Sequence, residues 1–146
     1  MKKRIYIGAE SFERIREDDY FYIDKTLLIK ELLDNRGTVT LVTRPRRFGK
    51  TLNISMLRSF FDINRDSKGL FDGLAIAEHQ DICEKHMNQY PVISLTLKNV
   101  DFSTYNDSIE SIGELVSTIF RENLYVCDGG RLSEYEKEDI HRRGIF

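Results

Sequence analysis

The stretch TVTLVTRPRRFGKTLNISMLRSFF, residues 38–61, decides which fold the sequence predicts. It opens with an uncharged, β-branched run at 38–43, which is typical of a strand buried in a parallel sheet. From Leu52 onwards its apolar residues are spaced three and four apart, which predicts a buried helix. The basic loop RPRRFGKT, residues 44–51, lies between the two. A strand, a loop and a helix in this order favour a phosphate site at the helix start.

The loop ends as a phosphate-binding loop does, but it lacks the usual first glycine. In the pattern G-x-x-x-x-G-K-[ST], Arg44 stands where that glycine is required. Gly49 lets the backbone approach a phosphate, Lys50 would neutralise phosphate charge, and the Thr51 hydroxyl would ligate Mg²⁺. The residues expected to bind a nucleotide are Arg44, Pro45, Arg46, Arg47, Phe48, Gly49, Lys50, Thr51 and Leu52.

The rest of the chain alternates between strand-like and helix-like segments. The expected strands are 4–7, 20–23, 38–43 and 92–97, and the expected helices are 11–18, 26–35, 50–62, 77–87 and 108–120. A capping-box pattern formed by Ser133 and Glu136 predicts a last, polar helix. Together these segments predict one α/β domain over residues 1–146, with a P-loop NTPase-like parallel sheet flanked by helices.

Charge is balanced overall and uneven locally. The chain has 22 Lys and Arg against 24 Asp and Glu, a net charge of -2, which gives no general attraction to nucleic acid or membranes. Between Asp34 and Asp62 there is no acid, while the basic residues there are Arg36, Arg44, Arg46, Arg47, Lys50 and Arg58. The positive charge of this segment favours binding of an anion.

Nucleic acid or a protein anion is the alternative ligand for the basic loop, in a module that is not an enzyme. Nucleic-acid recognition usually adds exposed aromatic residues, and Phe48, Phe60 and Phe61 are expected to lie in the core. Nucleic acid is therefore possible as a partner but not indicated.

The cysteines and the ends of the chain bear on its location. Cys83 and Cys127 form no C-x-x-C pair, which is typical of free thiols in a reducing cytoplasm. No apolar run resembles a signal peptide or a membrane span, so we expect a cytoplasmic protein with no membrane contact.

The last residues of the sequence suggest an interrupted element. Gly144 would end a helix just before the apolar Ile145 and Phe146. We therefore expect a fragment of a longer protein.

Three possible metal ligands share one side of a predicted helix. His79, Cys83 and His86 are spaced i, i+4 and i+7. They lack a fourth ligand, and Cys83 is more simply a small apolar core residue. No nucleophile paired with a histidine can be read from the sequence, so the catalytic residues are unknown. The expected metal contact is Thr51 of the phosphate loop, which would ligate Mg²⁺.

Four segments carry a resemblance to a known family. They are SFERIREDDYFYIDKTLLIKELL (11–33), TLVTRPRRFGKTLNISMLRSFFD (40–62), LFDGLAI (70–76) and HMNQYPVISLTLKNVD (86–101). Together they resemble the N-terminal domain of the bacterial AAA-ATPase-like family, P-loop proteins that often carry a PD-(D/E)XK nuclease-like domain at the C-terminus. The likeness covers nearly the whole chain. Members of that family have the loop sequence RPRRFGKT, so Arg44 agrees with the family's pattern.

The resemblance implies that the chain binds ATP and Mg²⁺, and that the full-length protein hydrolyses ATP to control an attached effector domain. Hydrolysis would need an acidic motif that such relatives carry after the position of Phe146. Within the chain, Asp101 and Asp128 are weak candidates for this acid, because Asp128 follows what looks like a helix end. We therefore expect negligible hydrolysis by this chain alone.

A second segment of the resemblance precedes the first confident helix. Asp24, Lys25 and Thr26 match the family's D-K-T segment, which implies base-side contacts by Asp24 and Lys25. The alternative is a helix cap, in which Asp24 or Thr26 accepts an amide hydrogen bond.

Overall fold

The computed structural model describes residues 4–43, 45, 48–98, 100, 103–126, 135 and 138. The chain divides into two compact units, Met1–Val92 and Ile93–Phe146. Its helices are α1 (Phe12–Glu17), α2 (Leu27–Asn35), α3 (Lys50–Phe61), α4 (Gln80–His86) and α5 (Tyr105–Glu122), with 3₁₀ turns at Ala75–Glu78 and Leu124–Val126. No helix in the described ranges has the length and apolar character needed to cross a bilayer.

The core of the first unit is formed by helices and by an aromatic loop. Phe12 of α1 packs against Phe71 with the rings tilted by 32° and their centroids 4.9 Å apart, and Phe60 of α3 meets Phe71 edge to face at 5.3 Å. The fully or nearly buried apolar side chains of this core are Phe12, Ile29, Met56, Phe60, Phe71, Leu74 and Ile76. Because α1, α2 and α3 each contribute, the core sets their relative positions.

A polar contact beside this core ties α1 to α3. The Glu13 carboxylate accepts hydrogen bonds from the hydroxyls of Ser59 at 2.7 Å, Ser11 at 2.8 Å and Ser55 at 3.3 Å. It also forms an ion pair with Arg65. Partial burial opposes ionisation of Glu13, but the hydrogen bonds from Ser59 and Ser11 and the charge of Arg65 lower its pKa overall.

The C-terminal end of α3 is closed by Asn88. Its side-chain amide donates to the carbonyls of Asp62 at 2.9 Å and Ser59 at 3.2 Å, and its backbone amide donates to Phe60 at 2.7 Å. Its side-chain oxygen accepts from the Ser67 amide at 3.3 Å. Asn88 has φ 55, a left-handed conformation that asparagine tolerates. The carbonyls that a helix end leaves without partners are satisfied in this way.

The second unit is built around α5. Thr104 caps this helix by accepting a hydrogen bond from the Asp107 amide at 3.2 Å, so α5 begins at Tyr105 rather than near 108. Its apolar residues lie partly in solvent, with Ile109 54% and Phe120 41% exposed. The predicted helix is confirmed, one turn longer at its start.

The predicted parallel sheet is wrong for the part of the chain that the structure describes. No described residue lies in a strand of a sheet, and the β pairing there is an isolated parallel bridge between Asp62 and Tyr90. The runs at 38–43 and 92–97 form neither helix nor strand, and Val39 and Leu41 are 86% and 83% exposed. Between 4–7 and 20–23, the Phe21 amide donates to the Arg4 carbonyl at 2.8 Å, but no ladder follows.

The reason for this error is physical. β-branched composition reports how well a residue suits a pleated, half-buried surface, but a strand also needs a neighbouring backbone with which to form a ladder. In the first unit the core is made by helix faces and Phe71 instead.

The capping prediction at Ser11 is confirmed, because Ser11 accepts a hydrogen bond from the Arg14 amide at 3.2 Å. Ser133 and Glu136, which form the predicted capping box, lie outside the described residues.

Replacing Glu13 with Gln should destabilise the protein by about 1–3 kcal/mol at neutral pH, because the charged acceptor of several hydrogen bonds is lost. The pKa of Glu13 is lowered from 4.5, so its contribution is present above that value and is lost as the pH falls through the lower folded-state pKa. The gap between wild type and Glu13→Gln should therefore narrow in acid, as measured by urea denaturation across pH. Glu17→Gln, an exposed change on the same helix, is the control and should stay within about 0.5 kcal/mol of wild type. An equal gap at every pH would contradict this account.

Candidate functional site

The start of α3 has the backbone form of an anion site. Gly49 is its N-cap residue, in the left-handed conformation with φ 73 and ψ 25. The first helical bond runs from the Asn53 amide to the Gly49 carbonyl at 2.9 Å, so the amides of the turn before Asn53 have no acceptor within the helix. Gly49 offers no capping side chain, and no acid lies in the first turn. A helix N-terminus of this kind favours a negative ligand.

The side chains of the loop divide between solvent and the core. Lys50 and Thr51 are exposed at the first two positions of α3, while Leu52 is half-buried and packs against the core. Pro45 is exposed, and Phe48 is 55% exposed, so the prediction that Phe48 lies in the core is wrong. Phe60 is fully buried and Phe61 half-buried, as predicted. The predicted residues Arg44, Arg46 and Arg47 lie outside the described residues.

Lys25 reaches the same turn from a different part of the chain. Its Nζ lies 3.9 Å from the position that a Cβ on Gly49 would occupy. The residue is exposed and directly precedes the N-cap of α2. The structure thus brings together Lys25 and the Gly49 turn, which are separated by more than twenty positions in sequence.

The residues on either side of Lys25 are anchored. The Asp24 carboxylate accepts from the Thr26 amide at 2.8 Å, from the Thr26 hydroxyl at 2.7 Å and from the Ala75 amide at 2.7 Å. Thr26 is fully buried, and its hydroxyl accepts from the Ile76 amide at 3.1 Å. Partial burial opposes ionisation of Asp24, but these hydrogen bonds and the charge of Arg16 lower its pKa. The carboxylate is thus ionised at neutral pH and holds the segment in place.

An open cleft lies between α2 and α4 in the first unit. Its volume is about 350 Å³, and it is lined by Lys30, Leu33, Asp34, Arg36, His79, Asp81, Ile82, Lys85 and His86. Lys30 is paired with Asp34 at 2.6 Å. Basic and acidic groups are mixed here, so the cleft lacks the one-signed charge of the loop.

The metal site considered from sequence receives no support in the part of the chain that is described. No group of three His, Cys, Asp or Glu side chains in that part could hold a metal ion. Cys83 donates to the Ile76 carbonyl at 3.4 Å, and burial raises the pKa of its thiol. His86 instead forms a hydrogen bond with Tyr90. Cys83 is a free thiol as predicted, whereas Cys127 lies outside the described residues.

Sequence reasoning missed the polar face by which α3 is held. Asn53 and Ser59 are buried, with 7% and 0% exposure. The apolar pattern of the helix predicts burial only for its apolar side chains. The serines at 55 and 59 are spaced i, i+4, which places them on one face of the helix, where both meet Glu13. That spacing was the available signal, but nothing in the sequence pointed to Glu13 as the partner.

Comparison with known proteins identifies the sequence group. Residues 6–139 match the AAA-ATPase-like family, described as "Predicted AAA-ATPase". The chain is also 34% identical over 117 residues to an uncharacterized protein in the vnfD 5' region of Azotobacter chroococcum mcd 1, which covers 80% of this chain and 21% of that protein. The chain thus spans about a fifth of the length of this relative. No solved structure matches.

Gly49→Ala should cost about 1–2 kcal/mol of stability, because a residue with a Cβ is strained in the left-handed conformation. A Cβ at this position would itself make an ordinary contact with Lys25 at 3.9 Å, so backbone strain is the expected cause. Gly37→Ala is the control, since Gly37 has no positive φ and its nearest contact would be 3.5 Å. Urea denaturation of both variants measures the difference. Equal stability of the two would mean that the Gly49 turn does not need its left-handed form.

Proposed function

The chain belongs to the AAA-ATPase-like family, and on this premise we propose that it binds ATP with Mg²⁺ at the start of α3. The observation that carries the proposal is the left-handed Gly49 cap followed directly by Lys50 and Thr51. Amides at a helix start and a loop without acids form a cradle for phosphate groups. The loop proposed to line this cradle is residues 44–52.

The start of α3 differs from the starts of α1 and α5, which carry a side-chain cap. In α1 and α5, Ser11 and Thr104 accept hydrogen bonds from first-turn amides, which leaves less room for an outside acceptor. At α3 no side chain caps the helix; α2 and α4 also lack a side-chain cap, but of these helices α3 alone begins at a glycine in the left-handed conformation. A phosphate oxygen is an acceptor that suits these amides, and the helix dipole stabilises its charge.

Lys50 and Thr51 are proposed to supply the side-chain contacts. Both are exposed on the first turn of α3, where a ligand in solvent can reach them. Lys50 would bring a positive charge to the β- and γ-phosphates, and the Thr51 hydroxyl is an oxygen ligand of the type that Mg²⁺ accepts. The bound ion would neutralise phosphate charge. The residues present therefore fit a magnesium nucleotide.

The remaining loop residues are proposed to act through charge and shape. Arg44, Arg46 and Arg47 would add positive charge, and guanidinium groups bind phosphate oxygens in pairs. Pro45 would restrict the turn, and Phe48, which is exposed, lies beside the cradle in sequence. Which arginine meets which phosphate is left to mutagenesis.

Hydrolysis and its purpose belong to the longer protein in this proposal. We propose that the full-length protein hydrolyses ATP and thereby controls an attached effector domain, with a nuclease-like domain as the family resemblance implies. The acids that sequence offers within this chain, Asp101 and Asp128, lie outside the described residues. For the chain in hand the proposed activity is binding.

Lys50→Ala should weaken binding of a fluorescent ATP analogue in the presence of Mg²⁺ by about 10- to 100-fold, since a hydrogen bond from a charged group contributes roughly 1.5–3 kcal/mol. Fluorescence anisotropy measures the affinity. Lys68→Ala is the matched control, because Lys68 is an exposed lysine on a turn far along the chain from the loop. It should bind as wild type does.

Two outcomes would contradict the proposal. Equally strong binding by wild type and Lys50→Ala would remove the loop from the site. Salt-dependent binding of DNA by wild type, with no binding of ATP, would support the alternative of an interaction module that uses the basic loop.

A further inference from the structure

We propose that Lys25 is a phosphate-side residue of the nucleotide site, rather than a base-side one; this inference rests on the proposed function. The starting observation is the distance of 3.9 Å between Lys25 Nζ and the Cβ position of Gly49. Gly49 lies at the turn whose amides face the phosphates in the proposed site. A group at this turn is therefore placed to meet phosphate charge.

The backbone around Lys25 is held in a way that suits a positioned side chain. Asp24 binds the Thr26 amide and hydroxyl and the Ala75 amide, and buried Thr26 binds the Ile76 amide. The Lys25 carbonyl accepts from the Leu28 amide at 3.1 Å. With both neighbours anchored, only the side chain of Lys25 is free to adjust, so less conformational freedom is lost when it meets a ligand.

The charge pattern around the Gly49 turn suits an anion. The sequence from 35 to 61, which contains that turn, has basic residues and no acid, and Lys25 brings a further positive charge to the turn. In the part of the chain that the structure describes, the ion pairs with carboxylates do not include Lys25. A polyphosphate, which carries several negative charges, would supply a counter-charge.

The role is one of charge recognition. Lys25 would give the site a second lysine, approaching from the segment before α2, while Lys50 approaches from α3. Because an ammonium is a compact point charge, Lys25 would bind the phosphate groups and would not contribute to selectivity for the nucleotide base. The D-K-T segment would thus act through Asp24 and Thr26 as an anchor and through Lys25 as a phosphate contact.

The test compares two ligands that share the phosphates but not the base. Affinities for Mg-ATP and for Mg-tripolyphosphate are measured by displacement of the fluorescent ATP analogue from wild type, Lys25→Gln and Lys25→Arg. Lys25→Gln should weaken both ligands by about the same factor, about tenfold, as expected for loss of one charge-assisted contact. Lys25→Arg, which retains the charge, should recover most of that affinity for both.

Lys30→Gln is the matched control, since it removes one positive charge from α2 at a lysine that pairs with Asp34. It should leave both affinities near the wild-type values. Lys25 is exposed, and circular dichroism checks that its variants keep the helical content of wild type.

Three results would overturn the inference. Loss of ATP affinity with unchanged tripolyphosphate affinity would place Lys25 on the base side. Unchanged affinity for both ligands in Lys25→Gln would remove Lys25 from the site while leaving the proposed function intact. Binding of neither ligand by wild type would remove the proposed function and this inference with it.

Discussion

The position of α3, and with it the candidate site, depends on the contact between Glu13 and the polar face of that helix. The carboxylate receives the hydroxyls of Ser55 and Ser59 and the charge of Arg65, while Phe12, next to it in sequence, packs in the apolar core. An ionised carboxylate in a half-buried place is stable only while these donors are present. The Glu13 carboxylate and the apolar core together therefore fix the position of α3, including its N-terminal turn.

A second set of hydrogen bonds brings the other part of the site to this turn. Asp24 and Thr26 are bound to the amides of Ala75 and Ile76, which lie at the 3₁₀ turn beside the core. Since Lys25 lies between them, its backbone is held at a place from which Nζ lies 3.9 Å from the Cβ position of Gly49. Lys25 and Lys50 thus lie near one helix start whose first turn carries no acid. In the proposed function, a ligand with several negative charges would satisfy the amides, the dipole and the lysines at once.

The sequence predicts the helices of this protein better than its overall architecture. The periodicity of Met56 and Phe60 correctly indicates the buried side of α3, and Ser11 correctly marks the start of α1. Both signals are local, because a helix satisfies its backbone within one segment. The run at 38–43 predicts a strand wrongly in the described structure, since pairing depends on a distant backbone that composition does not reveal.

The site was predictable in part for the same reason. Gly49, Lys50 and Thr51 are adjacent, so a motif finds them, and the structure puts them at a helix start. The Glu13 contact joins residues more than forty positions apart, and the approach of Lys25 to Gly49 also crosses the chain. Neither has a sequence pattern of its own. Tertiary contacts of this kind become visible only when the chain is folded.

The central claim is that phosphates bind at the backbone amides of the first turn of α3. Hydrogen exchange of these amides, followed by mass spectrometry with and without Mg-ATP, tests it most directly. We predict slower exchange in peptides covering residues 48–53 and no change in those covering the cleft between α2 and α4. Binding of ATP with unchanged exchange at 48–53 would contradict the account.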